Sequence, residues 1–133
     1  MKKYLIDILL VLIFIVPLIV TGCKDTGPGI TDIPTSNVSY SQHIQPLFDR
    51  YCLGSGCHND QDHAGGLSLT TWSTTTADYQ VVAPGYPQNS KLVWRIEGTS
   101  GNIMPPISSS SYPLNQNQIN GIKTWIKEGA KNN

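Results

Sequence analysis

Two of the chain's three cysteines stand in "RYCLGSGCHND", where four residues separate Cys52 from Cys57 and His58 follows the second thiol directly. Several chemistries use such a set. In an exported protein the two thiols can close a small disulfide ring, which leaves His58 without a part. With His58 they give three zinc donors, and a fourth would have to come from His63 or His43. A redox dithiol of the thioredoxin kind uses a two-residue gap within a βαβ setting, which this chain lacks. A covalent haem is the fourth chemistry. In C-x-x-C-H the thiols add across two vinyl groups of the porphyrin, and the histidine is carried under the iron as its proximal ligand. That arrangement explains why the histidine comes immediately after the second cysteine. The gap here is wider by two residues, and Gly54 and Gly56 have the backbone freedom to let a longer loop bulge while both sulfurs reach one ring.

Iron held by one histidine needs a donor on its other side. Apart from the initiator, Met104 is the only methionine, and it lies in the proline-stiffened loop "NIMPP". A thioether there would favour ferrous iron and raise the potential. Pro105 and Pro106 would hold the loop without needing backbone donors. His63 and His43 are the rivals for that position. His63 follows His58 by only five residues, which makes a return to the opposite side awkward, and His43 falls in a polar stretch of a helix.

Three helical patterns must position these groups. Tyr40, Ile44, Leu47 or Phe48, and Tyr51 share one face of a helix capped by Ser39 or Ser41, with Pro46 either kinking it or moving its start to about Gln45. A short middle helix runs through Leu92, Val93 and Ile96, capped by Asn89 or Ser90 and ended by Gly98. The last is the strongest: Ile119, Ile122, Trp125 and Ile126 form its apolar stripe, Asn115 or Asn117 caps it, Lys123 and Lys127 suit its C-terminal end, and Gly129 stops it. Between Leu53 and Tyr79 the text reads as loop, with a turn at Gly65 and Gly66 and anchors at Leu67, Leu69 and Trp72. No strand pattern and no internal repeat is found. The expected fold is mainly α, about three helices with long connections that a bound cofactor would organise.

The chain has 133 residues, with nine basic and nine acidic side chains. Residues 1–22 read as a secretory leader, with Lys2 and Lys3, an apolar run broken by Asp7 and Pro17, and small residues before Cys23. The ending "VTGC" resembles a bacterial lipobox, which assigns Cys23 to lipidation; an uncleaved anchor is the alternative. Without the leader, seven basic and eight acidic residues remain. There is no basic stripe, which argues against nucleic acid as partner. Residues 23–38 read as a flexible tether and 39–133 as one small domain, whose thin core calls for a disulfide, a metal or a cofactor.

The order "IQPLFDRYC", the cysteine motif, "AGGLSL", "PGYPQNSKL", "MPP" and "IKTWIKEGA" resembles the small class I type cytochrome c domains of exported Bacteroidetes and Planctomycetes proteins, across Ser39 to Lys131. The resemblance implies a cytochrome c-like fold around one covalent haem c, with thioether links from Cys52 and Cys57, and His58 and Met104 as iron ligands. It also implies that Trp125 packs at a helix-helix contact near the haem. The expected function is that of a membrane-tethered monohaem cytochrome carrying single electrons in the cell envelope, on the periplasmic side or at the outer membrane, and not an enzyme. Its partners would be redox proteins, the membrane through Cys23, and other cytochromes in an assembly. Arg50, Lys91 and Arg95 are candidates to bind haem propionates or dock a partner. The competing expectations are a haem-free disulfide-bonded lipoprotein acting as an interaction module, and a haem sensor in which Met104 does not bind.

Overall fold

A computed structural model describes residues 32–109 and 113–133. The proposed leader, Cys23 and the first part of the expected tether lie outside the described residues. Among those residues there are four α-helices and no strand. A π-helical turn, Tyr40–Ile44, leads into α1, Gln45–Tyr51; then come α2, Trp72–Thr75, α3, Lys91–Glu97, and α4, Gln116–Lys127. Single 3₁₀ turns stand at Ala64–Gly66 and Pro87–Asn89. The fold is mainly α, as the apolar spacing predicts. No described helix is long and apolar enough to cross a membrane.

The proline expected to disturb the first helix sets its start. Pro46 lies in the first turn of α1, where its missing N–H costs nothing. The preceding turn is capped by Ser39, whose hydroxyl accepts from the Gln42 N–H at 3.2 Å. Two more orphan donors there are met by the far end of the chain: Asn133 accepts from Ser41 N–H through its main-chain carbonyl and from Tyr40 N–H through Oδ1, both at 2.8 Å.

The other two expected helices begin and end at the anticipated residues. Asn115 and Gln118 exchange side-chain to backbone bonds in a capping box at the start of α4. Gly129, at φ +102, ends the run in a conformation that favours glycine. Ser90 stands before α3, but its hydroxyl accepts from the Ala83 N–H at 2.9 Å, pinning the preceding loop instead of capping the helix. Gly98, at φ +68, terminates α3. The fourth helix, α2, is an addition to the expected three. Thr71 and Thr74 form its capping box, a signal hidden in the run "TTWSTTT".

Ile44, Leu47 and Phe48 of the first helix pack with Val93 and Ile96 of α3 and with Ile122, Trp125 and Ile126 of α4 in one core. Trp125 is fully buried, its ring 5.3 Å from that of Tyr40 at 41°. Its indole N–H donates to the Lys131 carbonyl at 2.9 Å. A tilted aromatic pair of this kind adds about 1 kcal/mol to the area it buries. It locks α4 to the turn that launches α1.

The tether expectation needs correction at its C-terminal end. Ile33 and Val38 are buried against α4. Asn117 accepts from the Ile33 N–H at 2.9 Å and donates to the Ile33 carbonyl at 3.0 Å. Glu128 accepts from Asn37 N–H at 2.7 Å and Val38 N–H at 2.9 Å through its two oxygens. Gly121 makes room for the approach, because a Cβ there would lie 2.6 Å from Ile33 Cγ2. The segment has no regular element, as expected from its turn formers. Two apolar residues and two side-chain acceptors nevertheless dock it as a strap.

Candidate functional site

Helix α1 delivers Cys52 at its C-terminal end, where the Cys52 N–H donates to the Phe48 carbonyl at 2.7 Å. The next six residues turn back on it, and the His58 N–H reaches the Cys52 carbonyl at 3.0 Å. Inside this ring the Cys57 N–H donates to the Gly54 carbonyl at 3.0 Å. Gly56, at φ +75, supplies the left-handed residue that the inner turn needs. Gly54 does not use such freedom: it is absent from the positive-φ residues, and a Cβ there would make ordinary contact with Cys57 Sγ at 3.7 Å. The expected two-glycine bulge is therefore a one-glycine turn.

Two side chains beyond the motif hold this loop, and sequence reasoning passed over both. Asp62 Oδ2 accepts from the Gly56 N–H at 2.7 Å and from Asn59 Nδ2 at 2.8 Å. Asn59 Nδ2 also donates to the Gly54 carbonyl at 3.0 Å. The available signal was an Asn-x-x-Asp spacing directly after His58, where an Asn side chain can bond its own following backbone. Asn59 Oδ1 does so, accepting from Gln61 N–H and Asp62 N–H at 2.9 and 2.8 Å. Further along, the Ala64 N–H donates to the Cys57 carbonyl and the Leu69 N–H to the His58 carbonyl, at 3.0 and 2.9 Å.

Both thiols are free, so the disulfide alternative is not formed in this structure. Burial of the Cys52 sulfur against the core, with smaller contributions from Cys57 and Asp49, pushes its pKa up to about 12 and keeps it a neutral thiol. His58 is the unusual side chain. Its Nδ1 is buried and has no hydrogen-bond partner. Leaving such an atom unpaired costs about 1–3 kcal/mol, so its presence asks for an explanation.

Met104 is half-buried, and its N–H donates to the Arg95 carbonyl at 2.9 Å. The C-terminal end of α3 thus carries the methionine loop. Arg95 also reaches over that loop, with Nη1 3.5 Å from the Asn102 carbonyl. Pro105 behind the methionine is buried, joined to it by a cis peptide bond. Ile107, three residues on, is 78% exposed, an apolar side chain left outside the core.

The rival histidines have local engagements. His43 Nδ1 accepts from the Ser39 N–H at 2.9 Å, so it belongs to the start of the first helix. His63 is exposed at φ +43, its Nε2 3.9 Å from Asp60 Oδ1. Among the described residues no group of three or more histidine, cysteine or acidic side chains is placed to hold a metal ion, which leaves the zinc alternative without a site there. Of the candidate cations, Lys91 bonds Gln80 Oε1 at 2.6 Å, Arg95 is spent on the methionine loop, and Arg50 is exposed.

Two clefts, of 390 and 540 Å³, lie along the strap and beside Trp72 respectively, and neither is lined by Cys52, Cys57, His58 or Met104. The residues fit a haem on three counts: the two thiols are not bonded to each other, the imidazole has an orphaned buried nitrogen, and a half-buried thioether is presented from the loop after α3.

No curated protein matches the chain, and no solved structure matches it. The model of a family described as Planctomycete cytochrome C does match, over residues 54–108. That span takes in Cys57, His58 and Met104 and leaves out Cys52 and all of α4. Together with the all-helical architecture, the match supports a cytochrome c-like domain in this chain.

Proposed function

We propose that the chain is a monohaem c-type cytochrome that carries single electrons in the cell envelope, tethered by lipid at Cys23. The observation that carries this reading is the buried, unpartnered His58 Nδ1 directly behind a free Cys57. When bound, haem supplies a one-electron iron couple that the polypeptide lacks.

The chain's own residues would do the rest. Cys52 and Cys57 would each add S–H across one vinyl group, a reaction that forms one C–S bond and one C–H bond and releases nothing. It requires reduced thiols, and Cys52 and Cys57 form no disulfide with each other. His58 would give the proximal nitrogen and Met104 the distal sulfur, with the Arg95 carbonyl fixing the methionine's backbone. Soft, neutral sulfur on one side would hold the couple toward the ferrous state. With His58 and Met104 both holding the iron, no position would be left for a substrate, so the proposed role is carriage and not catalysis.

The test is to express the full chain with and without a haem-attachment system and record intact mass and visible spectrum together. Haem retained through acid-acetone extraction, with Cys23 lipid in the mass, is the expected result. A colourless product would overturn the haem reading, and an unmodified Cys23 would overturn the tether. Met104→Ala should abolish the sulfur-to-iron absorption band.

A further inference from the structure

A gap of four residues containing two glycines carries more backbone freedom than a gap of two, and freedom in this loop works against placing two sulfurs and an imidazole together. Gly54, Ser55 and Gly56 are all exposed, so no apolar packing orders them. What orders them is a closed set of hydrogen bonds. Asp62 Oδ2 takes both the Gly56 N–H and Asn59 Nδ2, at 2.7 and 2.8 Å. Asn59 Nδ2 returns to the Gly54 carbonyl at 3.0 Å, and Asn59 Oδ1 receives the Asp62 N–H at 2.8 Å. The two side chains thus brace each other while gripping the gap at both of its glycines. Neither touches Cys52, Cys57 or His58 through its side-chain bonds; each acts on them through the loop.

We propose that Asn59 and Asp62 are positioning residues that hold the widened gap in the shape needed for both thiols and His58 to address one haem. The proposal rests on the haem reading above. The bracing removes disorder that the extra residues would otherwise add, so the long loop behaves as a short one. Both bonds at Asp62 end on a single oxygen, which gives the test a conservative variant. Asp62→Asn can place its amide oxygen where Oδ2 stands and keep both bonds, whereas Asp62→Ala can keep neither.

The experiment compares wild type, Asp62→Ala, Asn59→Ala and Asp62→Asn, each as the full chain coexpressed with a haem-attachment system. Intact mass reports covalent haem, and alkylation of the denatured product counts unreacted thiols at positions 52 and 57. A second measurement, amide hydrogen exchange at Gly56 in the haem-free chain, reads the clamp without haem. In wild type both thiols are consumed and the Gly56 amide is protected. Both alanine variants should leave a several-fold larger fraction with one free thiol and exchange Gly56 at least tenfold faster. Asp62→Asn should restore both readouts toward wild type.

Alanine variants that attach haem through both thiols in wild-type proportion would overturn the proposal, whether or not Gly56 exchange changes. So would an Asp62→Asn variant as impaired as Asp62→Ala, because the hydrogen-bond geometry would then not be what matters. A wild type that never acquires haem would sink the haem reading and this role with it, while Gly56 exchange would still report whether the clamp exists. Asp62 is exposed and Asn59 half-buried, and neither belongs to the core, so the substitutions leave the core intact, and a far-ultraviolet spectrum matching wild type verifies that.

Discussion

The guanidinium of Arg95 occupies the space where a side chain at Gly101 would begin: a Cβ there would lie 1.9 Å from Nη1. Gly101 also sits at φ +73, which an L side chain adopts only with strain. Gly101→Ala should therefore destabilise the domain by about 1–3 kcal/mol and weaken the Met104 sulfur-to-iron band of the loaded protein. Arg95→Ala should cost less, because the bond between the Met104 N–H and the Arg95 carbonyl belongs to the backbone. Urea unfolding with the visible spectrum recorded in parallel checks both; an Arg95→Ala effect exceeding that of Gly101→Ala would contradict the assignment.

The strap gives a prediction whose sign is informative. Alanine is favoured over glycine inside a helix by about 1 kcal/mol, so Gly121→Ala in an undocked α4 would stabilise. Here the new methyl would meet Ile33 at Cγ2, Cδ1 and Cβ, at 2.6, 2.8 and 3.0 Å. A β-branched side chain cannot swing clear of all three, and displacing a buried isoleucine forfeits about 2 kcal/mol. The net expectation is a loss of about 1 kcal/mol, with proteolysis appearing between residues 32 and 38. A gain in stability would show that the strap is not docked.

The two thiols should differ sharply before haem is attached. Cys52, held neutral by burial with a pKa of about 12, would have a thiolate fraction on the order of 10⁻⁴ at pH 8. Cys57 lies on the loop, its Sγ only 3.7 Å from the Ser55 carbonyl and outside the core. Iodoacetamide at pH 8 should modify Cys57 well ahead of Cys52 in the haem-free chain. The linkage sign follows from the upward shift: the neutral thiol's contribution is complete below the ordinary value of 9.0 and is lost as pH rises toward 12. Urea midpoints of the haem-free chain should fall across that window, and less so in Cys52→Ala.

Acid should loosen the cysteine loop from the other side. Side-chain donation by Asn59 and backbone donation by Gly56 hold Asp62 below the usual carboxylate range, and donation by Ser68 and Thr70 does the same for Asp60. A depressed carboxylate stabilises the fold above its ordinary value of 3.8, and that contribution is lost as pH falls through the lowered one. The Gly56 amide resonance should stay fixed from pH 7 to about 4 and move only below 3.8. In Asp62→Asn that movement should vanish.

Much of this architecture can be read from residue order because it depends on neighbours within a helical turn. The apolar stripe of α4, its Asn115 cap and its Gly129 stop are local, and so is the effect of Pro46 on α1. The strap was missed for the opposite reason. Ile33 and Val38 are isolated apolar residues among turn formers, and their docking depends on Asn117, Gly121 and Glu128, more than eighty residues away. The cysteine loop was half legible: the spacing from Cys52 to His58 and one useful glycine could be read. The side chains that shape the loop could not, because Asn and Asp in a polar stretch look alike whether they brace a turn or face water. Arg95 is a similar case, a surface cation whose guanidinium lies over Gly101 of the methionine loop.

Docking Ile33 and Val38 shortens the leash. With lipid on Cys23 as proposed, the slack between bilayer and domain is nine residues at most (24–32), a span of about 30 Å fully stretched, where fifteen (24–38) would allow roughly 50 Å. A redox partner would have to come to the cytochrome close to the membrane surface, since the cytochrome could not swing out across a wide compartment to meet it.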